Sequence, residues 1–229
     1  MKIIGLIGGT SWVSTVEYYT YINRMINEKL GGNNSARIIL YSVNFEEFRP
    51  PVNPDDWGEI AVKFSDIAKR IEQGGADCLL LCANSPHIIS GDIQKNISIP
   101  LIHIAEATAK EIVKQNIRKV GLLGTRITME QPFFKDKLSE ADIEAIIPGP
   151  EERNFIHESI FDELGKGIFR PGTKKRYLQI IDDLKNRGAE GVILGCTEIP
   201  LIIKQSDCYI TTFDTTLIHS KAAVDFALG

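Results

Sequence analysis

The stretch Gly75-Ala76-Asp77-Cys78-Leu79-Leu80-Leu81-Cys82 decides the fold. Its apolar residues run on without alternation, the mark of a strand buried on both faces of a helix-covered parallel sheet. The pattern returns as Gly188-Ala189-Glu190-Gly191-Val192-Ile193-Leu194-Gly195-Cys196, with one extra residue. An earlier stretch repeats as well. Lys2-Ile3-Ile4-Gly5-Leu6-Ile7-Gly8 aligns with Lys119-Val120-Gly121-Leu122-Leu123-Gly124 when Gly5 is set on Gly121. The chain therefore reads as two copies of one architecture, each with a cysteine at the end of a buried strand.

Working outward, further strands are expected at 37–43, 99–104 and 209–213. Ser14 or Thr15 can cap a helix through about Leu30, with Val16, Tyr19, Ile22, Ile26 and Leu30 on an apolar stripe. Helical spacing also covers 57–73, 105–115, 128–138, 151–164 and 174–186, and Asp214 can cap a last helix through Phe226. Strands alternating with helices predict an α/β fold. The expected form is two pseudo-symmetric lobes, each a parallel sheet flanked by helices. Residues 1–98 with 212–229 form the first lobe and 99–211 the second, with the active site in the cleft between them. Open α/β sheets bind ligands at the carboxyl ends of their strands, where both Cys82 and Cys196 fall.

Composition narrows the function. The 229 residues are 43% hydrophobic and 24% charged, enough apolar material for a sizeable core. The net charge is −4 and no long basic run occurs, which argues against nucleic acid as a partner. No apolar stretch reaches the roughly 18 residues needed to span a bilayer, so no membrane partner is expected. The start, MKIIGLIGGT, reads as a first strand and not as a signal peptide, and the expected location is the cytoplasm. Four cysteines in a chain of this length are no disulfide framework. Cys78 and Cys208 read as small buried hydrophobes. No pair of histidines has metal-binding spacing, so no metal is expected. Gly5-Leu6-Ile7-Gly8-Gly9 lacks the spacing of a dinucleotide fingerprint, so a nucleotide is not expected either.

Two thiols at equivalent strand ends suit inversion of an α-carbon. One group must remove a proton from one face, and another must return a proton to the opposite face. A thiol with an ordinary pKa near 8.5 can serve as acid or base near neutrality. The positive end of a following helix can stabilise the thiolate. Donors such as Asn84, Ser85 and Thr197, beside the cysteines, can hold the α-carboxylate as charge develops. Gly8-Gly9-Thr10-Ser11 and Gly124-Thr125 end the other pair of equivalent strands and can line the same site.

Four motifs now carry a resemblance. Ile7-Gly8-Gly9-Thr10-Ser11-Trp12, Leu81-Cys82-Ala83-Asn84-Ser85-Pro86-His87, Gly124-Thr125-Arg126-Ile127-Thr128-Met129 and Gly195-Cys196-Thr197-Glu198-Ile199-Pro200 resemble the aspartate/glutamate racemase family, in its aspartate racemase branch. The resemblance covers essentially the whole chain. It implies racemisation of a small acidic amino acid without a cofactor, with Cys82 and Cys196 as the two acid/base groups, in a homodimer. It assigns Cys196 to the L-enantiomer face and Cys82 to the D-enantiomer face. It also implies that Arg49 and Lys166 receive the side-chain carboxylate, two local cations in a net negative chain. Thr10, Asn84, Ser85, Thr125 and Thr197 complete the implied substrate contacts. Ser85 departs from the family's commoner threonine but keeps a hydroxyl, and Pro86 alters the start of the next turn.

Plainer readings stand beside these. Arg49 can pair with Glu46 or Glu47, Lys166 can be a helix-end charge, and Thr125 and Thr128 can be caps. His87 and His103 read as structural, and Glu198 as a helix-start acid. The loop 44–54, with three prolines, suits a lid. Two other activities fit the scaffold: a dicarboxylate isomerase or decarboxylase, and a thiol redox switch joining Cys82 to Cys196.

Overall fold

Residues 1–51 and 56–229 are described by a computed structural model of the chain. The expected lid at 44–54 falls partly on 52–55, outside the described residues. The rest of that loop opens as a short 3-10 turn, Phe45–Phe48, which the Asn44 side chain caps by accepting from Glu46 N–H.

Strand β1 (Ile4–Gly8) is buried at every position. It is the centre of a three-stranded parallel sheet in the order β2-β1-β3, with β2 at Ile38–Ser42 and β3 at Cys78–Leu81. Helices α1 (Trp12–Leu30), α2 (Gly58–Gln73) and the short α3 (Ser90–Gln94) connect or follow these strands. The second sheet contains β4 (Lys119–Gly124), β5 (Glu144–Ile146), β6 (Gly191–Gly195) and β7 (Thr211–Asp214), all parallel, in the order β5-β4-β6-β7. Its helices are α4 (Ile104–Lys114), α5 (Arg126–Glu130), α6 (Pro132–Ser139), α7 (Pro150–Asp162), α8 (Pro171–Asn186), α9 (Ile199–Ile202) and the first turn of α10 (Thr215–Leu228). The α/β architecture of two helix-flanked parallel sheets is thus as the repeat predicts, and β2-β1-β3 matches β5-β4-β6 strand for strand.

The chain groups into two compact units, residues 1–103 with 219–229, and 104–218. These crossings differ from the expected 98/99 and 211/212. Residues 99–104 are no strand of the second sheet. Instead Leu101 makes an isolated parallel bridge to Leu79, with Leu79 N–H donating to Pro100 O and Ile102 N–H to Leu79 O. This holds the segment on the first sheet. Strand β7 pairs with β6 and so stays in the second unit, and the crossing falls inside α10. In the first unit Ala223, Val224 and Ala227 of α10 pack with Ile4, Leu6, Tyr18 and Ile22.

Local chemistry sets the element ends. Ser11 caps α1 by accepting from Ser14 N–H, three residues earlier than Ser14 itself was expected to act. Asp214 Oδ1 accepts from Thr216 N–H and Leu217 N–H, starting α10 as expected. The single helix expected at 128–138 is two, because Pro132 holds Gln131 in extended backbone (ψ 150°) and begins α6 itself. Strand β5 carries no apolar run and was not expected. Among the described residues no helix is long and apolar enough to cross a membrane.

Candidate active site

In the first unit, β1 ends at Gly8 and turns through Gly9 into α1. Gly9 has φ +88°, and a Cβ there would fall 2.1 Å from Val43 O, so only glycine fits this turn. Gly9 N–H donates to Thr15 Oγ1 at 2.9 Å, tying the turn to the helix. Thr10 follows, with its Oγ1 buried and without a hydrogen-bond partner among the described residues.

Cys82 stands one residue beyond β3, with its N–H donating to Ile7 O at 2.8 Å. Ser14 Oγ of α1 reaches Cys82 O at 3.4 Å. The thiol is 1% exposed, and burial pushes its pKa well up. Asn84 is buried and Ser85 half-buried in the segment that follows. That segment enters a 3-10 turn, Ser85–Ile89, with Pro86 near its start.

The second unit repeats this plan. Cys196 stands one residue beyond β6, the strand equivalent to β3. At the end of β4, Thr125 takes the place of the Gly9-Thr10 turn. Its hydroxyl caps α5 by accepting from Thr128 N–H and lies 3.2 Å from Thr128 Oγ1. Gly124 lies so near β6 that a Cβ would meet Gly195 O at 2.7 Å.

Around Cys196 the chemistry differs from that around Cys82. The Cys196 thiol donates to Glu198 Oε2 at 2.9 Å, and Thr197 Oγ1 donates to the same oxygen at 2.9 Å. Thr197 and Glu198 are 5% and 4% exposed. Burial, and next the Glu198 charge, hold the Cys196 thiol well above its ordinary pKa. Glu198 thus touches a candidate catalytic sulfur, a role the sequence reading did not give it. The available signal was its place two residues after the cysteine.

The helix ends expected to stabilise the thiolates are weak. A 3-10 turn follows Cys82, and α9 is only four residues long. So few aligned peptides make little macrodipole, and desolvation decides both thiols instead.

Arg49 and Lys166 lie on the surface. Arg49 pairs with Glu46 at 2.8 Å and Lys166 with Asp162 at 3.4 Å, all four side chains well exposed. Of the other cysteines, Cys78 is fully buried within β3, its thiol pushed up to about 12, and Cys208 is half-buried.

Two parallel sheets, each followed at its equivalent strand by a buried cysteine, define an α/β protein of internal pseudo-symmetry. The sequence matches the Asp/Glu/hydantoin racemase family over residues 7–223, and the chain belongs to that family. It is similar over its whole length to a candidate Asp/Glu racemase from Yersinia pestis, at 43% identity and a TM-score of 0.93, covering 100% of both chains. It is likewise similar to an aspartate racemase homologue from Pyrococcus horikoshii, at 37% identity and 0.88, again covering 100% of both. A broad specificity amino-acid racemase of Bacillus subtilis, RacX, is 22% identical over 99% of each chain.

Proposed function

We propose that the protein interconverts L- and D-aspartate without a cofactor, one cysteine serving each face of the α-carbon. The equivalence of Cys82 and Cys196 carries this reading: the same strand of each sheet ends in a buried thiol. A thiolate takes the α-proton, breaking C–H and forming S–H. The other thiol gives its proton to the opposite face of the carbanion, breaking S–H and forming C–H. Burial raises both thiols, so each thiolate is a stronger base than one in water.

Making a thiolate needs a proton acceptor, and Glu198 supplies one at Cys196. The S–H bond breaks and an O–H bond forms on a carboxylate already in contact. Thr10, Asn84, Ser85, Thr125 and Thr197 are the proposed holders of the α-carboxylate. Their hydroxyl and amide donors favour the carbanion, whose charge spreads onto that group.

Arg49 and Lys166 are the proposed receivers of the side-chain carboxylate. Their present ion pairs are exposed, and such pairs are worth only about 0–1 kcal/mol, so exchanging a surface acid for a substrate carboxylate costs little. A homodimer is also proposed. Trp12, Val16 and Tyr19 project as an exposed apolar stripe along one face of α1, at 72%, 52% and 54% exposure.

Incubation in deuterated water with each enantiomer of aspartate and glutamate, and with maleate, tests the substrate. The expected outcome is α-deuterated aspartate of both configurations, with Arg49→Ala and Lys166→Ala raising KM tenfold or more. Conversion of maleate without α-exchange on aspartate would replace this reading with a dicarboxylate isomerase.

A further inference from the structure

Three of the chain's four histidines meet in one buried cluster of the first unit. His87 stands edge-on to His103 (ring centroids 4.8 Å apart) and to His219 (5.4 Å), and His219 stands edge-on to Tyr18 (5.6 Å). His87 and His219 are 1% and 0% exposed, and His103 is 8% exposed. The rings come from different places in the chain: Tyr18 from α1, His87 from the turn after Cys82, His103 from the residue before α4, and His219 from α10.

Hydrogen bonding fixes where the protons sit. His219 Nε2 lies 2.7 Å from Ile102 O, and a carbonyl only accepts, so Nε2 carries the hydrogen. His219 Nδ1 is then an acceptor, and Tyr18 O–H donates to it at 2.8 Å. His87 Nδ1 lies 2.9 Å from Ala83 O, so His87 has the opposite tautomer, with the hydrogen on Nδ1. His87 Nε2 is buried and has no hydrogen-bond partner among the described residues.

Resting on Cys82 as a catalytic thiol, we propose that His87 is the positioning residue for the Cys82 segment, and that His103 and His219, the latter held by Tyr18, pack it as the neutral Nδ1–H tautomer. The segment is held at successive carbonyls: Cys82 O by Ser14, and Ala83 O by His87. A second proton on His87 would place an N–H at Nε2, where no acceptor waits, beside the His103 and His219 rings. Burial and both neighbouring imidazoles hold the His87 pKa well below its ordinary value, in accord with this geometry. The ring therefore stays neutral through the range in which the thiols exchange protons. Cys82 then works from a segment whose anchor does not titrate with it.

Nitrogen-15 NMR of the histidine side chains at pH 7 tests the tautomers on the unaltered protein. His87 is expected as Nδ1–H and His219 as Nε2–H. An Nε2–H or doubly protonated His87 overturns the proposal. His87→Phe keeps a ring and loses the donor, whereas His87→Asn puts an amide nitrogen where Nδ1 stands. Amide exchange across 83–89 is expected to quicken at least tenfold in the Phe variant and to return toward the parent rate in the Asn variant. The racemisation kcat should follow the same order with KM little changed. Equal exchange in all three proteins overturns the proposal, as does an Asn variant no better than Phe. Should the Phe variant not fold, the tautomers and the Asn variant's exchange decide. Absence of aspartate activity in the parent protein would count against the racemase reading alone, since tautomer and exchange do not depend on it.

Discussion

Cys196 and Glu198 hold one proton between a sulfur and an oxygen 2.9 Å apart. The carboxylate raises the thiol's pKa by its charge, yet it is also the nearest group able to take the thiol's proton. Glu198→Gln separates these effects, because the amide still accepts a hydrogen bond but carries no charge. With the negative neighbour gone, the thiol's pKa falls, though burial keeps it above the ordinary value. Alkylation of Cys196 should thus begin at lower pH than in the parent. Racemisation should still slow by about 10²-fold, the usual order for loss of a positioned proton-transfer group. Faster alkylation with full racemisation would mean that Glu198 only perturbs the thiol. Both cysteines were legible in the sequence, because a strand end is fixed by an apolar run. Glu198 was not, since its contact depends on how the turn after Cys196 folds back, and residue type alone does not give that.

Among elements, the legible parts were those with a strong period or run. Strands β1, β3 and β6 are apolar throughout, β4 is apolar after Lys119, and α2 carries a clear stripe. The stripe expected on α1 is buried only at Ile22 and Ile26, because Tyr18 with Ser14 and Thr15 faces the core while Val16, Tyr19 and Leu30 are exposed. The misreadings have local causes. An edge strand needs little burial, so Glu144-Ala145-Ile146 gave no signal for β5. The run Ile99–Ile104 is apolar enough for a strand, but a single bridge at Leu101 is all it forms before α4 begins. The turn joining β1 to α1 offers a direct check on the first unit. Gly9→Ala must place a Cβ against the Val43 backbone at positive φ, and backbone cannot swing aside as a flexible side chain can. Strain of about 1–3 kcal/mol is expected from φ alone, with the clash adding to it. Thermal unfolding should show the loss, and an unchanged midpoint would refute the described turn.

For the whole molecule, buried neutral histidines set the acid response. In the unfolded chain an imidazole titrates near 6.5. In the folded chain His87 lies well below that and His219 is pushed down to about 3, in both cases chiefly by burial. Above pH about 6.5 neither state binds these protons, and the histidines' contribution to stability is constant. Below it the unfolded state gains protons that the folded state refuses, so stability falls by up to about 1.4 kcal/mol per pH unit for each such group. The lowered carboxylates Asp207 and Asp225 lose their contribution only nearer pH 4. Chemical denaturation should accordingly show the midpoint falling between pH 6.5 and 4.5. A level midpoint there would mean the cluster is hydrated or already charged.

The internal repeat, visible in the sequence as two apolar runs each ending in cysteine, is the feature on which the proposed function rests. The most direct test is racemisation of L- and D-aspartate in deuterated water by the parent, Cys82→Ala and Cys196→Ala proteins. The account predicts that both variants remain folded and that neither inverts aspartate. Each should exchange the α-proton of one enantiomer at most, with retention, and the two variants should differ in which. A single-cysteine variant that racemises at the parent rate would contradict the two-thiol mechanism.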